Sequence, residues 1–122
     1  MAVGIDILEI ERVKNLKNLE KIFTQNEIEY INKFANKEER ICGLFCAKEA
    51  IFKSLNLTQL KHLEIEVLHN KNGAPYTSLS GSTLEHFKNN FEKIEISISH
   101  SKNYATAIAV ATENNTPTVK TY

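Results

Sequence analysis

Residues Leu44–Leu55 read LFCAKEAIFKSL. At 3.6 residues per turn, Ile41, Leu44, Phe45, Ile51, Phe52 and Leu55 share one broad side of a helix. That apolar side is the surface on which a core can be built. Two charges interrupt it: Lys48 falls near its middle and Glu49 at its edge. A buried, unpaired charge is expensive, so this Lys-Glu pair needs either partners or a task.

Working outward, Asn36 can cap a long helix over residues 37–55. Before it, Thr24 and Glu27 have the spacing of a capping box, which starts a helix running to about Phe34. Residues 11–22, ERVKNLKNLEKI, carry a stripe of Val13, Leu16, Leu19 and Ile22, which predicts another helix. Residues 2–10 read as a strand. Downstream, HLEIEVLH (62–69) alternates Leu63, Ile65 and Val67 with Glu64 and Glu66, as a half-buried strand does. KNGAP (71–75) is a turn, and YTSL (76–79) can close a hairpin. Ser82 and Glu85 repeat the capping-box signal for a helix to about Phe91. IEISIS (94–99) and YATAIAVAT (104–112) are expected to be antiparallel neighbours. The order β-α-α-α-β-β-α-β-β predicts one α+β domain over residues 1–122. Its helices pack on a largely antiparallel sheet, and residues 113–122 form a loose tail.

With 122 residues, one domain is the natural size. Fifteen basic and fifteen acidic side chains give zero net charge, which argues against a general nucleic-acid binder. Neither a basic leader nor a membrane-length apolar run is visible, so a cytoplasmic protein with no membrane association is expected. Cys42 and Cys46 lack the spacing of a metal site and read as two small buried hydrophobes.

Asp6 lies between Ile5 and Ile7 in the first strand, where Asp is a poor strand former. Taken singly, each polar residue has an ordinary reading. Asp6 faces water, Glu49 pairs with Lys53 one turn on, Lys48 snorkels, and His100 sits in a turn. Taken together, two carboxylates from separate elements with nearby lysines suit a magnesium ion and a phosphate-bearing substrate. Ser99, His100 and Ser101 add polar groups at a strand end.

The blocks GIDILEIER, FCAKEAIFK and SISHSKNYATAIAV occur in this order in a chain of this length. Together they resemble the 4′-phosphopantetheinyl transferase superfamily, in its short single-domain class; FTQNEIEY and GAPY add to the likeness, which runs from Val3 to about Thr112. The resemblance implies transfer of phosphopantetheine from coenzyme A to a serine of an apo acyl carrier protein, with release of 3′,5′-ADP. It implies Asp6 and Glu49 as Mg²⁺ ligands and Lys53 on a phosphate oxygen or the leaving group. Lys48 is expected among phosphates or carboxylates and not in a dry core, and Pro75, Tyr76, His100 and Ser101 beside coenzyme A. The serine proton goes either to Glu49 or to a water on the metal. Arg12, Lys14, Lys17 and Lys21, read as one helical face, would meet the acidic carrier. The class also implies a homotrimer with coenzyme A between neighbouring subunits.

Two other readings use the same residues. A Mg²⁺-dependent nucleotide diphosphate hydrolase leaves the basic segment and SISHS without a role. A non-catalytic binding module predicts neither metal nor coenzyme A dependence. The chain also departs from the family pattern. Leu44 stands where many relatives have arginine, and SLNLT stands where many have a glycine. Arg40 is the candidate to supply the missing cation.

Overall fold

In the computed structural model, which describes residues 1–114, the chain begins with strand β1 (Ala2–Glu9). Helices α1 (Gln25–Ile31) and α2 (Lys37–Ser54) follow, then a hairpin of β2 (Ile65–His69) and β3 (Pro75–Leu79). Helix α3 (Gly81–Asn90) leads into β4 (Phe91–His100) and β5 (Tyr104–Glu113). The sheet is antiparallel in the order β1-β5-β4, and β2-β3 forms a second antiparallel pair. The expected α+β architecture is therefore present, with its strands divided between two sheets.

Helix α2 lies against the three-stranded sheet. Ala105, Ala107, Ala109 and Ala111 of β5 are all buried beneath it, and these small side chains let the helix approach the sheet closely. The tightest point is Gly4 of β1, where a Cβ would collide with the carbonyl oxygen of Ala50. The other side of α2 is covered as well. Ile41, Cys42, Leu44, Cys46, Ala47, Lys48, Ala50 and Ile51 are all buried, which exceeds the single apolar side read from the sequence. Cys42 and Cys46 are free and buried, their thiols directed at the carbonyls of Leu8 and Ala105. Burial pushes both thiols upward in pKa, so they pack as hydrophobes, as read from the sequence.

Residues 11–22 do not form the expected helix. They form two 3₁₀ turns, Ile10–Val13 and Leu19–Lys21. Asn18 at φ 57° separates the second turn from what precedes it, a backbone state that no right-handed helix contains. The Ile10 N–H, at the start of the first turn, bonds to the Asn103 carbonyl and ties this segment to the β4–β5 connection. Lys14, Lys17 and Lys21 therefore share no helical face.

Two further boundaries shift. His62–Glu64 is a 3₁₀ turn that leaves Leu63 exposed, so the strand starts at Ile65. Helix α3 follows Ser80, and the Ser82–Glu85 capping box is replaced by a remote carboxylate. Glu64 accepts the Thr83 N–H at 2.9 Å, the Thr83 hydroxyl at 2.8 Å and the Ser82 hydroxyl at 2.9 Å. These bonds hold its carboxyl down to about 2. The Thr24–Glu27 capping box is present as read. Strand β5 takes up Glu113 from the expected tail; residues 115–122 lie outside the described residues.

Candidate active site

Asp6 sits mid-strand on edge strand β1, opposite Ala107 of β5. Its carbonyl accepts the Thr106 hydroxyl at 2.7 Å, which fixes the backbone there. The last turns of α2 bring Glu49 and Lys53, four residues apart on one helix face, over this strand. Lys53 Nζ lies 3.0 Å from the Ile5 carbonyl and 3.4 Å from Asp6 Oδ1. Burial first, then the neighbouring Asp6 charge, pushes the Glu49 carboxyl upward, while Lys53 works the other way. Asp6, Lys53 and Thr106 line an open cleft with Ile5 and Ile7. The structure thus brings Asp6 and Lys53 together at this cleft, with Glu49 one helical turn before Lys53 and within the field of the Asp6 charge.

This donor set fits magnesium. Two hard carboxylates, held on different elements and mutually repelling, gain most from a divalent cation. Among the described residues no cluster of three or more His, Cys, Asp or Glu is assembled. Magnesium accepts so few protein ligands because water and substrate phosphate complete its octahedron.

Lys48 is a correction. It is expected among phosphates or carboxylates outside a dry core; it does meet a carboxylate, that of Glu27, but its side chain is wholly buried and reaches no ligand cleft. Its ammonium donates to Glu27 Oε1 at 2.8 Å and to the carbonyls of His62 at 2.7 Å and Ile65 at 2.6 Å. All three donors are used by protein groups, so none remains for a ligand. Glu27, which sequence reading placed only in a capping box, also accepts the N–H groups of Thr24 and Val67. Its position at N3 of α1 was legible; its role as the partner of Lys48 was not.

Of the expected coenzyme-side residues, His100 and Pro75 meet elsewhere, while Tyr76 and Ser101 lie outside their cavity. His100, at the end of β4, and Pro75, at the start of β3, line one cavity with Arg40, Leu44, Tyr30 and His69. His100 Nε2 lies 3.1 Å from Glu39 Oε1. Tyr30 and His69 stack with centroids 3.9 Å apart, and Arg40 lies over the Phe34 ring at 4.0 Å. Arg40 stands one turn before Leu44 on the same cavity wall, so a cation is present despite the Leu44 departure. Tyr76 lines the adjoining cleft with Lys33 and Asn70. Ser101 joins β4 to β5, its N–H donating to the Tyr104 carbonyl and its hydroxyl accepting the Tyr104 N–H.

The two groups of residues are far apart in one chain. Glu39, beside His100, and Lys53, beside Asp6, are about four turns apart on α2, roughly 20 Å along the axis. Asp6 is on one edge strand of the sheet and His100 on the other. The outer face of β1 is apolar and open: Val3, Ile5 and Ile7 are 55%, 62% and 65% exposed, with Ile108 beside them. Arg12, Lys14, Lys17 and Lys21 are all exposed on the turn segment, and Lys14 pairs with Glu11 at 2.9 Å.

The fold agrees with what the chain is similar to. A family model described as the 4′-phosphopantetheinyl transferase superfamily matches residues 2–109, and the chain belongs to that superfamily. Within it, the similar proteins are holo-[acyl-carrier-protein] synthases. Those of Clostridium tetani and Fusobacterium nucleatum are each 40% identical over 118 and 119 residues, covering 90% of this chain and 94% and 97% of theirs. The crystal structure of the Helicobacter pylori synthase in complex with coenzyme A is 31% identical. It covers 90% of this chain and 99% of its own, with a TM-score of 0.78. The Bacillus anthracis synthase, in complex with CoA (3′,5′-ADP), is 30% identical, covering 93% and 96% with a TM-score of 0.76.

Proposed function

We propose that this chain is a Mg²⁺-dependent holo-[acyl-carrier-protein] synthase of the cytoplasm. It transfers 4′-phosphopantetheine from coenzyme A to a serine of apo acyl carrier protein and releases 3′,5′-ADP. The observation that carries this reading is the meeting of Asp6 and Lys53 at one cleft, with Glu49 one helical turn before Lys53 and within the field of the Asp6 charge, in a chain of this superfamily. Asp6 and Glu49 would hold Mg²⁺, which supplies charge neutralisation on the diphosphate. The serine oxygen bonds to the β-phosphorus and gives its proton to Glu49 or to water, and the bond from that phosphorus to the 3′-phospho-AMP oxygen breaks. Little covalent chemistry falls to the protein, so its residues act by positioning and by charge. Lys53 places a positive charge on the phosphoryl oxygens or the leaving group. Pro75, Tyr76, His100 and Ser101 hold the nucleotide side of coenzyme A, with Arg40 as the cation of that cavity. Mass spectrometry of apo acyl carrier protein incubated with this protein, coenzyme A and Mg²⁺ tests the reading. The carrier gains one phosphopantetheine, and EDTA abolishes the gain; a carrier left unmodified in the presence of metal rules the activity out.

The separation of the two residue groups supports a homotrimer with coenzyme A between subunits. In a closed ring, the Asp6 edge of one copy adjoins the His100 edge of the next, and the exposed apolar face of β1 is covered. Ile5→Glu combined with Ile7→Glu is expected to shift the protein to monomer in light scattering and to lose activity. A trimer that survives both charges places the interface elsewhere.

Arg12, Lys14, Lys17 and Lys21 form the docking segment for the acidic carrier, presented by 3₁₀ turns instead of a helix face. Lys14→Glu with Lys17→Glu is expected to raise the carrier KM roughly tenfold, since complementary charge governs encounter and register. The coenzyme A KM stays as it was. An unmoved carrier KM transfers the docking role to another surface.

A further inference from the structure

The two lysines of the KEA segment and the turn after it are held in opposite ways. Lys48 makes three short bonds in the dry core. Lys53 is half-exposed, and its ammonium rests on the Ile5 carbonyl and, more loosely at 3.4 Å, on Asp6 Oδ1. Asp6 is itself partly exposed, so solvent screens the pair and makes it weak. The cation placed beside the proposed metal carboxylates is thus one of the protein's own side chains.

We propose that Lys53 is a resident counter-ion of the Asp6–Glu49 pair that a divalent cation must displace, and that the coenzyme's phosphates receive it. This rests on the magnesium reading above. A metal arriving alone competes with the Lys53 charge for Asp6. A metal arriving with coenzyme A finds Lys53 drawn to phosphate oxygens and the carboxylate free. The two ligands then bind cooperatively, and each tightens the other by the same factor. Lys53 thus serves the reaction twice, as a counter-ion to the carboxylates and as a ligand to the phosphates.

The test is a Mn²⁺ titration followed by electron paramagnetic resonance, with and without coenzyme A. It compares the wild type with Lys53→Met, Lys53→Arg and Asp6→Asn; circular dichroism checks that each is folded. In Lys53→Met, Mn²⁺ alone is expected to bind roughly tenfold tighter, because a like charge has left its site. The factor by which coenzyme A tightens Mn²⁺ is expected to shrink. Lys53→Arg keeps the charge and behaves as the wild type. Unchanged or weaker Mn²⁺ binding in Lys53→Met, with binding still lost in Asp6→Asn, overturns the exchange and leaves the metal site standing. Mn²⁺ binding that Asp6→Asn does not affect removes the metal site and this proposal with it.

Discussion

Asp6→Asn and Glu49→Gln each lower turnover by at least about a hundredfold, the scale on which losing one electrostatic contact to the transition state is felt. Neither unfolds the protein. Glu49 already carries a raised carboxyl because burial and the Asp6 charge both disfavour its ionised form. Neutralising either member relieves that repulsion, so the melting temperature of Glu49→Gln is expected to hold or rise. Activity and stability then move in opposite directions, as they do where a site is assembled at the expense of the fold. A purely structural role for these carboxylates predicts the reverse: lower melting temperatures with turnover largely kept. Carrier modification followed by mass spectrometry, paired with thermal melts on the same samples, separates the two. Wild-type turnover in either variant removes the metal assignment.

This pair was legible because its oddity is local. An Asp between two isoleucines in a strand and a Glu at the edge of an apolar helix side are visible without knowing the fold. Helix α2 was legible for the same kind of reason: Asn36 caps it, accepting the Glu39 N–H, and its apolar spacing is long. What failed depends on contacts distant in sequence. The stripe Val13, Leu16, Leu19, Ile22 has helical spacing, yet the segment turns at Asn18, whose left-handed backbone breaks any helix there, and the preceding Ile10 is tied to Asn103. The capping of α3 comes from Glu64, seventeen positions before the helix starts at Gly81, and no local pattern announces it. The division of site residues between opposite edges of the sheet follows from the order β1-β5-β4, in which the last strand sits between the first and the fourth. Periodicity along a chain carries no information about that order.

Lys48 is where the sequence reading and the structure differ most, and the difference predicts separate outcomes. A lysine among phosphates, when replaced, raises the coenzyme A KM and leaves the fold alone. A lysine sealed against Glu27, with both side chains at 0% exposure, does the opposite. Lys48→Met leaves the Glu27 carboxylate buried without its counter-charge and takes the ammonium donor from the carbonyls of His62 and Ile65, of which the first keeps the Ile65 N–H. Breaking such a pair from one side costs about 3–5 kcal/mol. Urea denaturation of Lys48→Met is expected to register a loss of that size. Removing both charges, as Lys48→Met with Glu27→Gln, restores part of it, because a neutral amide can still accept the Val67 N–H without a buried charge. At a temperature where Lys48→Met remains folded, its coenzyme A KM stays near the wild-type value, since the side chain never reaches the ligand. The clasp also joins α1, α2 and the approach to β2 around one ammonium, which holds the helix that carries Glu49 and Lys53. A Lys48→Met protein as stable as the wild type but with a raised coenzyme A KM would return this lysine to the phosphates.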